Sequence, residues 1–458
     1  MKDAGAKRLQ NIYRHFSRLV AATVLLLALP LANAHAISFI RDAEIEHNIR
    51  TIGAPLFAMA GLEPASVHVY IVNEPSLNAF VAGGQNIFIH TGLLMAADTP
   101  NQLIGVIAHE TGHISGGHLA RLQEAMRGAS AQNILAMVLG TAAAVAGGGG
   151  AGQAIMGGGA QITQRTLLKY SRIQEASADQ AAFDYLDRTG QSSRGLLEFF
   201  EKLGDQEALL TSNQDPYVRT HPLTRDRVDS VRAHVETSPY ADVPDPPQLV
   251  AAHLRMQAKL YGYLRSAAQT YKRYPESDNS IPARYARAIA LHRTQRTEES
   301  IAVIDTMLAD LPDDPFLYEL KGQFLFESGQ PDAAIAPYTR SVELMPYEPL
   351  LRVGLAQAQV SARDDAHIDD AVINLRQAAR QDPTDPSIWR WLAMAYGRKD
   401  DIPMATLATA ERYMLIGRTR DAMIQAARAE EMLTPGTPSH LHALDIRNAA
   451  EARLRDKN

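Results

Sequence analysis

Residues 99–122, TPNQLIGVIAHETGHISGGHLARL, carry a helix start signal, an apolar body and two histidines on one face. Thr99 suits an N-cap, Pro100 suits the first turn, and Gln102 stands where a capping box needs it. The segment LIGVIA ahead of His109 is apolar enough to bury the helix, which removes competing water from any metal held there. His109 and His113 lie four residues apart, so both imidazoles leave the same face and can meet one ion. Glu110 sits beside that ion without facing it, where it can take a proton from a water that zinc has brought to a pKa of about 7. Two histidines are one ligand short, because a catalytic zinc usually has three protein ligands and one open position.

The best candidate for the third ligand lies in residues 165–190, RTLLKYSRIQEASADQAAFDYLDRTG, an amphipathic helix closed by Gly190. Glu175 and Asp179 are four apart and share a face. One can bind zinc while the other orients a ligand histidine through its free ring N–H. His118 reads as helix packing and His90 as a plain strand residue.

Five Lys or Arg residues precede an apolar stretch from Leu19 to Leu31 and the small residues that follow it, the order of a secretory signal peptide. Cleavage is expected after Ala34 or Ala36. Removing residues 1–34 takes the formal charge from −6 to −10, 40 basic against 50 acidic groups, which gives no reason to expect a nucleic-acid partner. The chain has no cysteine, so neither a disulfide nor a thiolate ligand is available. Ile134–Ala146 is an apolar run of 13 residues, too short to span a membrane. It reads as a core helix or as a lid that touches the membrane surface, with the Gly147–Gly150 and Gly157–Gly159 clusters as hinges.

The acidic, proline-rich stretch Ser238–Gln248 reads as an interdomain linker. Before it lie strand patterns at Val67–Val72 and Gln85–Thr91 among helices; after it there are only helices. Pro312 and Pro346 are 34 residues apart, as are Ser300 and Ala334, and Ile304 and Tyr338, which is the tetratricopeptide period. Gly322, Gly329, Ala334, Tyr338 and Pro346 fit the packing positions of that repeat. The next copy, around Ala371, Ala378 and Pro383, is three residues longer, and weaker copies follow near Ala405 and Ala422, giving about four repeats between helical caps. The fold class is therefore α+β and mostly helical. A zincin-like metallopeptidase domain over residues 37–237 is followed, after the linker at 238–248, by an all-α tetratricopeptide-repeat superhelix over 249–458. An extended substrate is expected to add to a sheet edge formed by Gln85–Thr91, with Gly83-Gly84 giving backbone access.

The helix YSRIQEASADQAAFDYL resembles the E-x-x-x-D helix of the HtpX and CAAX-prenyl-protease family of gluzincin peptidases. AGGQNIFIHTGLL, NQLIGVIAHETGH and THPLTRDRV fit the same family pattern. The resemblance implies one zinc ion per chain, held by His109, His113 and Glu175, with Glu110 as general base and Asp179 as the partner that orients a ligand. It makes His221 a histidine that approaches the zinc, as a resting fourth ligand or as a stabiliser of transition-state charge, and Arg227, the arginine that follows it, a group that stabilises charge on the tetrahedral intermediate of the substrate. Without the resemblance, His221 reads as a surface residue at a helix start. Integral members of the family have membrane spans that this chain lacks, so a soluble protein is expected. The order of signal peptide, peptidase domain and repeats resembles that of periplasmic members. It implies quality control of unfolded or stalled outer-membrane proteins, and recruitment of the outer-membrane assembly machinery by the repeats. The rival reading is a non-proteolytic scaffold or chaperone with a structural zinc site. Such a site normally has four protein ligands and no need of an adjacent glutamate.

Overall fold

Alternating apolar residues around 67–72 and 85–91 form the two central strands of a sheet in the computed structural model, which describes residues 38–118, 160–209 and 221–455. The N-terminal stretch expected to be a signal peptide, the Ile134–Ala146 run and the Gly147–Gly159 stretch lie outside the described residues. The strands are β1 (Phe39–Ile40), β2 (His68–Val72), β3 (Ala79–Ala82) and β4 (Asn86–His90), in the order β1-β2-β4-β3. β2 and β4 are parallel, with Val69 opposite Ile87 and Ile71 opposite Ile89, while β3 runs antiparallel to β4. Gly83 and Gly84 make the β3–β4 turn at φ +61° and +100°, a region strained for side-chain-bearing residues.

The segment expected to form the sheet edge is therefore interior: β4 is paired on both sides, and among the described residues the free edge next to it belongs to β3. The four residues AFVA are too short to announce a strand, and the glycine turn folds them onto β4.

Helices α1 (Ala43–Met59), α2 (Thr91–Ala96), α3 (Pro100–Ser115), α4 (Ala160–Arg188), α5 (Arg194–Leu209) and α6 (Arg225–Thr237) pack below the sheet. Their core contains Ile71, Ile87 and Ile89 from the strands, Ile104 and Ile107 from α3, Leu186 from α4, and Leu196, Phe199 and Phe200 from α5. Thr99 caps α3 by accepting from the Gln102 amide at 3.4 Å. Gln102 Oε1 in turn accepts from the Asp98 amide at 3.0 Å, one residue earlier than a capping box would use. α3 and α4 cross closely because Gly112 carries no Cβ: one built there would meet the Ala178 carbonyl oxygen at 2.8 Å.

The stretch read as a linker is laid onto this body. Ser192 Oγ donates to the Ala241 carbonyl at 2.6 Å, the Asn101 amide donates to Asp245 at 3.3 Å, and Ala241 is part of the core. α7 (Pro247–Leu264) then adds Met256 and Leu260 to the same core. After α8 (Ala267–Arg273) come helix pairs: α9 (Ile281–Arg293) with α10 (Thr297–Asp310), α11 (Pro315–Glu327) with α12 (Pro331–Leu344), α13 (Pro349–Ser361) with α14 (Ile368–Gln381), α15 (Pro386–Arg398) with α16 (Ile402–Leu415), and α17 (Thr419–Met432) with α18 (Pro438–Arg455). The starts of α9, α11, α13 and α15 are 34, 34 and 37 residues apart, so the expected three-residue extension falls between α13 and α15. Gly322 and Gly354 receive the Tyr338 ring, whose atoms would stand 2.7 and 2.6 Å from a Cβ at those positions.

A buried ion cluster joins α1 to the repeats. Glu44, fully buried, accepts from Tyr285 Oη at 2.7 Å and pairs with Arg255, which also pairs with Asp314. Lys259, 1% exposed, stands 2.7 Å from Asp42, 3.4 Å from Glu44 and 3.6 Å from Glu319. Further out, Arg50 pairs with Glu348 at 2.6 Å, and Arg41 with Asp382 and Asp385 at 2.8 and 3.0 Å. Phe39–Asn458 accordingly form one compact unit.

Candidate metal centre

Apart from Asn101, every residue of α3 from Pro100 to His113 is buried, as the apolar segment before His109 leads one to expect. His109 and His113 turn one face toward α4, with Nε2 atoms 3.1 Å apart. Glu175 faces both: its oxygens are 3.3 Å from His109 Nε2 and 3.5 Å from His113 Nε2. His221 enters from the chain ahead of α6, which starts at Arg225 under a Thr224 cap, so His221 precedes the helix and is itself buried. Its Nδ1 lies 3.2 Å from Glu175 and 3.5 Å from His109 Nε2.

These separations are what one ion demands. Ligands about 2.0–2.1 Å from a tetrahedral zinc stand roughly 3.4 Å from one another. The ligand atoms of His109, His113, Glu175 and His221 all lie within 4.8 Å of each other. Lone pairs of three imidazoles and a carboxylate pointed at one spot repel unless a cation sits there, and nitrogen and carboxylate oxygen are the donors zinc takes. Burial alone would lower the His109 pKa, yet hydrogen bonding to Asp179 and Glu175 outweighs it and holds the ring up to about 9. The donor set therefore fits a zinc ion.

Surrounding groups fix the donors. His109 Nδ1 stands 2.9 Å from Asp179, so its Nε2 is turned toward the centre. Burial pushes the Asp179 carboxyl up, but Arg227 and His109 bring it below the usual range. Arg227 holds Asp179 with two donors at 2.7 and 2.8 Å, and a third nitrogen reaches Glu175 at 3.0 Å and the Pro222 carbonyl at 3.1 Å. Its guanidinium lies over the Phe200 ring, 4.8 Å from the centroid. Expected to meet charge on the substrate, Arg227 is instead committed to the two carboxylates. His118 packs into the protein as its sequence context predicts, being 4% exposed, and its Nδ1 also lies 3.0 Å from His113 Nδ1. Its place five residues beyond His113 was the only signal in the sequence.

Glu110 is wholly buried, and neither carboxylate oxygen takes a hydrogen bond from a described residue. His221 Nε2 stands 3.4 Å from one of them and 3.3 Å from the Ala79 carbonyl on β3. Burial raises the Glu110 pKa, with His221 and His109 acting in opposition. His90 is a strand residue, as read, and contacts Ser76 Oγ at 2.9 Å.

A helix bearing two histidines and a buried glutamate, crossed by a helix that supplies a third donor and an aspartate behind it, is the framework of a zinc metallopeptidase. A family model described as Peptidase family M48 matches residues 43–235. The chain is 30% identical over 194 residues to Metalloprotease LoiP of Escherichia coli K12, covering 42% of this chain and 71% of that protein. It belongs to this family and is a zinc metalloendopeptidase. Over a longer span it is 26% identical in 388 residues to the Beta-barrel assembly-enhancing protease of Yersinia pestis, covering 84% of this chain and 79% of the relative. The protein of that name in Escherichia coli K12 is 24% identical over 402 residues, 87% of this chain and 81% of its own length.

Proposed function

We propose that this chain is a periplasmic endopeptidase, with a chaperone-like role, that acts on unfolded or stalled outer-membrane β-barrel proteins and meets the outer-membrane assembly machinery through its repeat domain. The names of its long relatives and the order of its segments support the setting. Among the described residues no helix is long and apolar enough to cross a membrane. The reaction rests on one observation: four convergent donors with the buried carboxylate of Glu110 beside them, which no described residue holds by a hydrogen bond.

His109, His113 and Glu175 would hold the metal. A zinc ion held there would polarise a peptide carbonyl and lower the pKa of water to about 7. Glu110 takes the proton of the attacking water and delivers it to the leaving amine, a task suited to a carboxyl whose pKa burial has raised. Asp179 sets the His109 ring, and Arg227 sets Asp179. Asp179→Asn keeps the shape and removes the charge, so zinc affinity should fall about 10- to 100-fold, read by competition with a chelator of known affinity. Unchanged affinity would leave Asp179 without this role.

His221 is the resting fourth donor. The same ring approaches the metal site with Nδ1 and the Ala79 carbonyl with Nε2, so its departure frees both a coordination position and the β3 edge. His221→Ala should raise basal cleavage of an unfolded polypeptide several-fold while keeping one zinc per chain. A fall in cleavage with zinc retained would assign His221 to transition-state stabilisation instead. Comparing Glu110→Gln with the parent chain, for peptide cleavage and for outer-membrane protein assembly, tests the whole reading; a variant equal to the parent in both would sink it.

A further inference from the structure

The outer face of the sheet carries a row of aromatic rings with one contributed by each strand. Tyr70, Phe88 and Phe80 lie directly opposite one another across β2, β4 and β3. The Tyr70 and Phe88 centroids are 5.1 Å apart at 16°, and those of Phe88 and Phe80 5.0 Å apart at 10°, both stacked. Phe39 extends the row, 6.0 Å from Tyr70 and 6.1 Å from Phe88. Strand alternation sends the neighbouring Ile71, Ile87 and Ile89 into the core, so the rings occupy the opposite face. Phe39 is 48% exposed and the other three are half-buried. A contiguous aromatic patch of this kind on a protein surface marks a place of contact.

The row ends at the outer edge of β3, which no strand among the described residues pairs with. The His90 amide donates to the Asn78 carbonyl at 2.9 Å, so antiparallel alternation makes Phe80 and Phe88 a bonded pair and turns the N–H and C=O groups of Ala79 and Val81 outward. The Ala79 carbonyl meets His221 at 3.3 Å, which puts this edge against the metal centre. A chain laid along it pairs with Ala79 and Val81. The substrate residue opposite Phe80 then places its side chain on the aromatic face, with Cβ atoms about 4.5–5.5 Å apart.

We propose, resting on the peptidase reading above, that Phe80, backed by Phe88 and Tyr70, is a specificity-determining subsite. It selects substrate segments that carry Phe, Tyr or Trp at the residue paired with Phe80, and the incoming ring becomes the next rung of the stack. An aromatic pair at such spacing favours binding about 3- to 10-fold beyond its area alone.

The test uses the full zinc-loaded chain and a set of unstructured peptides in which Phe or Ala is placed in turn at each of the positions flanking the cleaved bond. One position should favour Phe over Ala about 3- to 10-fold in kcat/KM. The ratio should fall to about 1 in Phe80→Leu, which keeps an apolar side chain and removes the ring, and return in Phe80→Tyr. The same ratio should appear without turnover, as fluorescence anisotropy of labelled peptides on zinc-loaded Glu110→Gln. A parent chain with no position favouring Phe, or a Phe80→Leu chain that keeps the ratio, overturns the proposal. Peptides that bind with the ratio but are never cleaved by the parent would uphold the subsite and refute the peptidase reading.

Discussion

Glu110→Gln is expected to hold one zinc per chain and to lose about 10²- to 10⁴-fold in kcat, the usual contribution of a positioned acid–base group. Glutamine fills the same volume, and Glu110 is not among the four residues whose donor atoms converge, so coordination has no reason to change. The loss is confined to proton transfer, because an amide neither takes a proton from water nor returns one to an amine near neutral pH. A fully buried carboxyl that takes no hydrogen bond from any described residue would be a costly feature in a site that did no chemistry. Single-turnover cleavage of an unfolded polypeptide, with zinc measured on the same sample, checks the prediction. Comparable rates in the two chains contradict it.

A second large effect is expected at Glu44, far from the metal. Glu44→Gln leaves Arg255 and Lys259 buried against fewer negative charges, and it should destabilise the chain by about 3 kcal/mol. That is the low end for breaking a buried ion pair, since Arg255 retains Asp314 and Lys259 retains Asp42. Burial pushes the Glu44 carboxyl up, but Arg255, Lys259 and Tyr285 outweigh it and bring it below 4.5. The stability it contributes is therefore present above that value and lost as pH falls through the lowered folded-state pKa. Urea unfolding of the parent chain should show a midpoint that drops in this acid range, and Glu44→Gln should flatten that drop. Equal midpoints at neutral pH would mean that α1 is held to the repeats by packing alone.

The helical parts of this architecture were open to reading because their signals are local. The capped start of α3, the four-residue spacing of His109 and His113, and the 34-residue period through Tyr338 each need only a few turns of chain. Glu175 and Asp179 could be narrowed to one helix face, but choosing between them requires knowing where α3 crosses α4. Gly112 allows that close crossing, and it puts Glu175 near both imidazoles and Asp179 behind His109. The sheet was harder. β3 has four residues and no charge pattern, so its pairing with β4, which moves the free edge away from Gln85–Thr91, came from the turn and not from any periodicity. Long-range ion pairs leave no local trace. Glu44 reads as an ordinary acidic residue in the first turn of a helix, and Lys259 as the polar side of another, until the repeats fold back onto α1. The same is true of Ala241 and Asp245, which looked like tether and serve as packing.

The most direct test of the account is the zinc content of the purified chain beside that of His113→Ala, by inductively coupled plasma mass spectrometry after exhaustive buffer exchange. If His109, His113 and Glu175 hold a catalytic zinc, the parent chain carries one zinc per chain and His113→Ala carries almost none, with cleavage lost in step. One zinc retained in His113→Ala, or cleavage that continues in a metal-free chain, would contradict it.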